Sequence, residues 1–253
     1  MKRYILVLLI FWLAVPFSSA QLWKMRRWEA VAGAGPSFFF GDIGGYSRSE
    51  NFLGLRDITY LQTRYNFNAS LKYRLNRVTN LRLGMSYARL HATDERGSNE
   101  GRPFEVSTQI FEPALTAEYY FIKNRAESSY LFQKRRGRFL WSLLRSLDFY
   151  GFAGAGAAYF DANPNEAQRQ EMALHGMKDS GVALVIPAGI ATTLVYTPNI
   201  NFGLELGGRY AFTDWLDAYH KEQYSKANDV YYFLNFTISY KMKTGPRGLP
   251  SFR

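Results

Sequence analysis

In residues 61–76, apolar or aromatic side chains take nearly every odd position and polar or charged ones take the even positions. A period of two marks a strand with one apolar and one polar face. Strands in soluble sandwiches are usually about five or six residues long, whereas a tilted strand crossing a bilayer needs about 9 to 11. The length of the run therefore predicts a membrane strand. Leu61, Tyr65, Phe67, Ala69, Leu71, Tyr73 and Leu75 should face lipid, and Gln62, Arg64, Asn66, Asn68, Ser70, Lys72 and Arg74 a polar lumen.

Further runs follow the same rule. Residues 28–40 form a small-residue strand ending in three Phe, and after a short turn at 76–80 the alternation resumes over 81–87 with Arg82, Gly84 and Ser86 inward. The next strand sets Phe111, Leu115, Ala117, Tyr119 and Phe121 against Glu112, Thr116 and Glu118. Pro113 within it lacks a ladder donor and is expected at a bulge or a rim. Residues 147–160 are Gly- and Ala-rich with ambiguous parity, 182–196 and 200–210 flank a tight turn at 197–199, and 230–241 turns Tyr232, Leu234, Phe236, Ile238 and Tyr240 outward. The count predicts an all-β fold, an eight-stranded antiparallel up-and-down transmembrane β-barrel of the outer-membrane type.

Connection lengths support this topology. Turns at 76–80 and 197–199 are tight, while 41–60, 92–106, 161–181 and 213–229 are long, matching short periplasmic turns and longer outer loops. One connection breaks the rule. Residues 122–146 are periplasmic by parity yet long, with Lys123, Arg125, Lys134, Arg135, Arg136, Arg138 and Arg145 around Phe139-Leu140-Trp141.

Processing and composition refine the picture. Lys2 and Arg3, the apolar stretch 4–17 and Ser18-Ser19-Ala20 read as a signal peptide over 1–20, so a single barrel domain over 21–253 is expected, with its basic periplasmic connection and a tail at 242–253. The apolar stretch 181–196 holds Pro187, Gly189 and two Thr, and reads as a strand rather than a spanning helix. There is no Cys, which excludes disulfides, a thiol nucleophile and an acylated Cys. Aromatic residues make up 17%, suiting the girdles of a barrel. The formal charge is +10, and +8 without Lys2 and Arg3. For an exported chain, that charge points to anionic headgroups, acidic glycans or an acidic protein rather than nucleic acid.

Eight strands enclose an interior just wide enough for side chains, which argues against a diffusive pore. The inward set Glu29, Arg64, Lys72, Arg74, Arg82, Glu112, Glu118, Glu205 and Arg209 mixes both signs, and buried charges must pair. It is expected to form a lumenal charge network. His91, His175 and His220 fall in or beside outer loops, and His91-Ala92-Thr93 is the local candidate for a base beside a hydroxyl at the rim, as a lipid hydrolase would need. No two His stand at metal-ligand spacing, and no cofactor is expected. Asp214 and Asp217, with Asp229 beyond, suit either a Ca²⁺ loop or turn capping. Lys134, Arg135, Arg136, Arg138 and Trp141 are the candidate partner-binding residues on the periplasmic side. Residues 135–144 could equally form a basic amphipathic helix lying on the membrane.

Several segments carry a family likeness: Gly41-Asp42-Ile43, Tyr65-Asn66-Phe67 through Tyr73-Arg74-Leu75, Leu81-Arg82-Leu83-Gly84, and Phe149-Tyr150-Gly151-Phe152-Ala153-Gly154. The strongest is Gly203-Leu204-Glu205-Leu206-Gly207-Gly208-Arg209-Tyr210 running into Phe212-Thr213-Asp214-Trp215-Leu216-Asp217. Together they resemble the small outer-membrane barrels of Bacteroidota known as the DUF6089 or PorG-like family. The resemblance implies an outer-membrane barrel and, in the family's best-known member, a part of the type IX secretion machinery that contacts periplasmic ring subunits. It supplies no catalytic residues, and the family also has members outside that apparatus. The chain departs from the usual barrel ending, since Tyr240 is the aromatic terminus of the last strand and a tail follows. A non-enzymatic anchor or scaffold for periplasmic partners is the expected function, with a lipid-modifying enzyme using a rim His, or a narrow channel, as alternatives.

Overall fold

The computed structural model describes residues 26–45, 60–95, 99–124, 129–133, 139–220, 228–245 and 248–251. The signal peptide and Lys134, Arg135, Arg136 and Arg138 lie outside the described residues. Eight long strands form in chain order: β1 Trp28–Phe40, β2 Arg64–Arg74, β3 Thr79–Thr93, β4 Glu105–Ile122, β5 Leu147–Pro164, β6 Ser180–Val195, β7 Ile200–Ala211 and β8 Val230–Thr244. Each pairs antiparallel with the next, and β1 closes on β8 from Trp28↔Met242 to Phe40↔Val230. The result is a closed eight-stranded up-and-down barrel. A two-residue strand, β9 Pro250–Ser251, folds the tail back onto Lys243 and Thr244. Helices α1 Tyr130–Gln133 and α2 Phe139–Ser146 interrupt the β4–β5 connection, and α3 Glu166–His175 the β5–β6 connection.

The outward side chains form an apolar belt. Phe67, Leu83, Leu115, Tyr159, Ile190, Leu206 and Phe236 are exposed on seven of the eight strands, a contiguous apolar surface of the kind a soluble monomer rarely shows. Aromatic residues border it at both ends: Tyr65, Tyr87, Phe111, Tyr159, Tyr210 and Tyr232 at one, Tyr73, Tyr119, Phe121, Phe202 and Tyr240 at the other. A belt between two aromatic girdles is the surface of a barrel embedded in an outer membrane. The protein is an outer-membrane barrel. The end with the tight β2–β3 and β6–β7 turns is called the inner end below, and the end with the longer loops the outer end.

Three prolines sit in the middle of strands, each where one ladder lapses and the other holds. Pro113 stays opposite Met85 of β3, while the ladder to β5 passes from Phe111↔Tyr159 to Ala114↔Gly156 without changing register. Pro36 and Pro187 repeat the arrangement, against Tyr65 and Arg209 respectively. Pro113 is thus neither bulged nor at a rim, and the register shift in β4 comes later, between Tyr120 and Ile122. A missing N–H is tolerated where no partner carbonyl waits for it.

The run 61–76 pairs only over Arg64–Arg74. Gln62 is buried at the outer end, its Nε2 3.3 Å from the carbonyls of Gly44 and Thr93. Arg64 also leaves the expected lumenal set. Its Nη1 donates to the carbonyls of Leu61 and Thr63 at 2.7 and 2.9 Å, closing the turn that feeds β2. Polar capping of an unpaired backbone turn wins over strand extension there.

The interior has two layers. In the outer half, Phe39, Leu90, Val106, Ile110, Phe160, Val185, Tyr231 and Phe233 form an apolar core, sealed from above by Ile43, Met172, Leu216 and Tyr219. The inner half holds the charges, with Tyr120, Tyr150 and Phe152 packed among them. On β5 the even residues point inward, which resolves the parity that its glycines and alanines leave open.

Candidate functional site

The lumenal network forms around Arg82. Its Nη1 and Nη2 reach Glu205 Oε2 and Oε1 at 2.6 and 3.3 Å, its Nε donates to Thr116 Oγ1 at 3.0 Å, and Glu118 Oε1 stands 3.5 Å from Nε. Lys72 Nζ lies 2.8 Å from Glu118 Oε1 and 3.2 Å from the Tyr150 hydroxyl. Arg209 Nε is 3.5 Å from Glu112 Oε1, and Glu112 Oε2 accepts from the Tyr231 hydroxyl at 2.5 Å. Nearer the inner end, Glu29 Oε1 accepts from Asn201 Nδ2 at 3.1 Å and from the Ser239 hydroxyl. Arg74 is buried close by. The guanidinium groups of Arg82 and Arg209 also cover the rings of Phe152 and Phe233, with 4.8 and 4.1 Å to the centroids. Between the layers remains a cavity of about 30 Å³ lined by Asn68, Arg82, Glu112, Glu205, Arg209 and Asn235, room for about one water. Among the described residues, paired charges on opposite walls pack across the middle of the barrel. Sequence reasoning missed Tyr120 and Tyr150, because the parity of β5 was open and Tyr120 sits one residue from the register shift.

At the outer end, the other three connections meet on the β7–β8 loop. Asp217 Oδ2 accepts from the N–H groups of Asp42 and Ile43 at 2.8 and 3.3 Å, and its Oδ1 from Tyr219 N at 3.1 Å. Gln168 of α3 donates to the carbonyls of Asp217 and Ala218 at 2.7 and 3.3 Å, and Thr108 Oγ1 to that of Leu216 at 2.5 Å. Leu216 N donates to Asp229 Oδ2 at 2.9 Å, while Asp229 Oδ1 is buried without a hydrogen bond. Asp94 accepts from Gly44 N at 2.7 Å and from Arg102 Nε at 2.9 Å. Gly44 has φ 75°, and a Cβ there would meet Gln62 Nε2 at 2.0 Å. Helix α3 is set by its Asn165 N-cap and by Gly176 in the left-handed region, which turns Gln168 and Met172 into the barrel mouth.

Burial drives Asp217 and Asp229 well above the usual carboxylate range, and the negative charges around each push in the same direction. Among the described residues, no three His, Asp or Glu side chains are gathered to hold a metal ion. Both oxygens of Asp217 and Oδ2 of Asp229 accept from backbone N–H groups, and Asp214 Oδ2 lies 2.7 Å from His220 Nδ1, so turn capping describes this loop better than a Ca²⁺ site.

Comparison with known proteins finds similar solved structures and no family. No protein-family model and no curated protein matches the chain. Among solved structures it is similar to a major outer membrane protein of Thermus thermophilus, at 12% identity and a TM-score of 0.47, covering 85% of this chain and 98% of that one. It is also similar to Ail, the attachment invasion locus protein of Yersinia pestis, crystallised with the heparin analogue sucrose octasulfate, at 12% identity and TM-score 0.41, with the same coverage. A third is the N-terminal β-barrel domain of Pseudomonas aeruginosa OprF, at 11% identity and TM-score 0.38, covering 85% and 97%.

His91 does not pair with Thr93. It faces Ser107 across the β3–β4 ladder, with Nδ1 3.0 Å from Ser107 Oγ, and its Nε2 is 3.7 Å from Glu105 Oε1, an ion-pair distance rather than a hydrogen bond. Thr93 Oγ1 instead accepts from Glu95 N at 3.3 Å. His175 is exposed at the end of α3. At the inner end, Trp141 falls within α2, and Lys123 pairs with Asp148 at 2.9 Å.

Proposed function

We propose that this barrel is a non-enzymatic outer-membrane anchor that holds an acidic periplasmic protein against its inner end, as a PorG-like component of type IX secretion would. One observation carries the reading: the charge is divided between the two ends. The inner-end segments 21–27, 75–78, 123–146, 196–199 and 242–253 hold fourteen Lys and Arg against one Glu, while the outer-end segments 41–63, 94–104, 165–179 and 212–229 hold eight against thirteen Asp and Glu. Such an asymmetry selects partners by sign. The filled lumen supports an anchor over a channel, because paired side chains occupy the path that a solute would take. The family resemblance supports the secretion role, and Lys134, Arg135, Arg136, Arg138 and Trp141 supply the partner contacts.

Crosslinking and affinity capture from native outer membranes, with mass spectrometry of the retained proteins, tests this. Deleting residues 133–138 should abolish recovery of periplasmic partners while the barrel stays heat-modifiable on gels, and ring subunits among the lost proteins would support the secretion role. Unchanged recovery overturns the proposal.

A second reading has its own observation. Ser107, His91 and Glu105 line one side of the β3–β4 ladder above the outer girdle, where a hydroxyl, a base and a carboxylate could act on a lipid ester. Fluorophosphonate labelling of the wild type, lost in Ser107→Ala, would support it. An unlabelled wild type removes it.

A further inference from the structure

Helices α1 and α2 do not plug the barrel. Tyr130 of α1 stacks on Tyr196 with ring centroids 6.5 Å apart, and Leu131 N donates to Tyr196 O at 3.3 Å. Tyr196 in turn meets Phe202 edge-on at 5.3 Å, and Phe202 belongs to the outward aromatic girdle of the inner end. Helix α2 lies against β6 and runs straight into β5 at Leu147. Beneath the helices, the outward-facing Leu147, Phe149 and Leu194 are half-buried, whereas Ile190, further along β6, is exposed like the rest of the belt. Both helices therefore rest on the lipid-facing side of the wall.

Among their described side chains, three of the exposed ones are leucines. Leu140 and Leu144, four residues apart and so on one face of α2, are 67% and 62% exposed, and Leu131 of α1 is exposed too. Arg145, next to Leu144 and in the last turn of α2, is exposed. Leucines on one face with a cation beside them, at girdle depth, suit the boundary between acyl chains and phosphates. We infer that α1 and α2 form an interfacial foot embedded in the phospholipid leaflet at the inner end, with Leu131, Leu140 and Leu144 among the acyl chains and Arg145 at an anionic headgroup. The site is continuous with the lipid-facing belt and fits the charge of the inner end. It goes beyond the scaffold reading and stands without it.

The full chain has no cysteine, so a single introduced thiol is unique. Leu140→Cys and Leu144→Cys, each labelled with bimane, would be reconstituted alone in phosphatidylcholine vesicles with and without phosphatidylglycerol. Leu206→Cys in the belt and Leu174→Cys on α3 serve as lipid and water references. Both α2 labels should be quenched by spin-labelled lipid as the belt reference is, and be protected from iodide. Iodide quenching equal to that of Leu174→Cys overturns the inference and assigns this face to water or to a protein. The phosphatidylglycerol-dependent blue shift of the Leu144→Cys label should vanish when Arg145→Glu is added. If it is unchanged, Arg145 holds no headgroup and that part of the inference fails. No partner protein is present, so the result is independent of the capture experiment.

Discussion

Replacing Arg82 by Leu should cost the barrel about 3–5 kcal/mol, the usual penalty for removing one member of a buried ion pair. The structure says which charge is stranded. Glu118 keeps Lys72 at 2.8 Å and Asn80 Nδ2 at 3.1 Å, whereas Glu205 loses both guanidinium contacts and keeps, among the described residues, one hydrogen bond from the Tyr150 hydroxyl at 3.5 Å, with Lys72 and Arg209 as more distant cations. Most of the penalty is therefore the desolvation of Glu205, and Arg82→Leu combined with Glu205→Leu should recover more than half of it, leaving a coupling of roughly 2–3 kcal/mol. Arg82→Lys should fall between, since an ammonium cannot bridge both oxygens of Glu205 and still reach Thr116. Urea unfolding of the wild type, Arg82→Leu, Glu205→Leu and the double variant in lipid vesicles, followed by tryptophan fluorescence and gel mobility, gives the cycle, with Arg82→Lys measured beside it. A single-variant loss below about 1 kcal/mol, or additive losses in the double variant, would refute a lumen held together by this pair.

The outer end yields three further expectations. A buried carboxyl whose pKa is raised in the folded state contributes stability that is full below its unfolded pKa of about 4 and is lost as pH rises through the folded value; with Asp217 and Asp229 both raised, hydrogen-exchange protection of the Leu216 and Tyr219 amides should fall from mildly acid to alkaline pH, and Asp229→Asn should flatten that slope. Asp217→Asn should lose about 1–3 kcal/mol in the same exchange measurement at acid pH, because both Asp217 oxygens accept N–H groups and an amide nitrogen cannot accept one, and the loss should shrink as pH rises and the wild type itself weakens. Gly44→Ala should loosen the cap, since φ 75° and the 2.0 Å approach to Gln62 leave no room for a methyl group; faster limited proteolysis of the outer loops, with unfolding of the barrel unchanged, is the expected result, and proteolysis at the wild-type rate would contradict it.

The barrel was legible because lipid on one side and packed polar groups on the other force the period of two, and lumenal assignments such as Lys72, Arg82, Glu118 and Glu205 follow from parity alone. Arg64 escaped because parity says which face a residue takes but not where pairing stops. Its guanidinium serves the turn before β2. The strands β3, β4 and β5 run past the membrane for a related reason: the outer core of Leu90, Val106, Phe160 and Ala162 is built on their extensions, and apolar residues on the lumenal face carry no mark of ending at the bilayer. The cap was illegible for a different cause. Asp42, Asp94, Gln168, Asp217 and Asp229 come from four separate connections, and only closure of the barrel brings them together.

The two ends differ in what their charges do. Three outer-end carboxylates, Asp94, Asp217 and Asp229, are buried and hold backbone N–H groups, which joins the loops. At the inner end, Arg77, Arg145 and Lys243 are exposed, and exposed ion pairs contribute at most about 1 kcal/mol each. Fourteen cations against one anion in the inner-end segments repel one another, a term that opposes folding unless counter-charge arrives from outside. On the proposed interfacial foot, lipid phosphates beside Arg145 would supply part of it. An acidic protein held at the inner end, as proposed, would supply the rest.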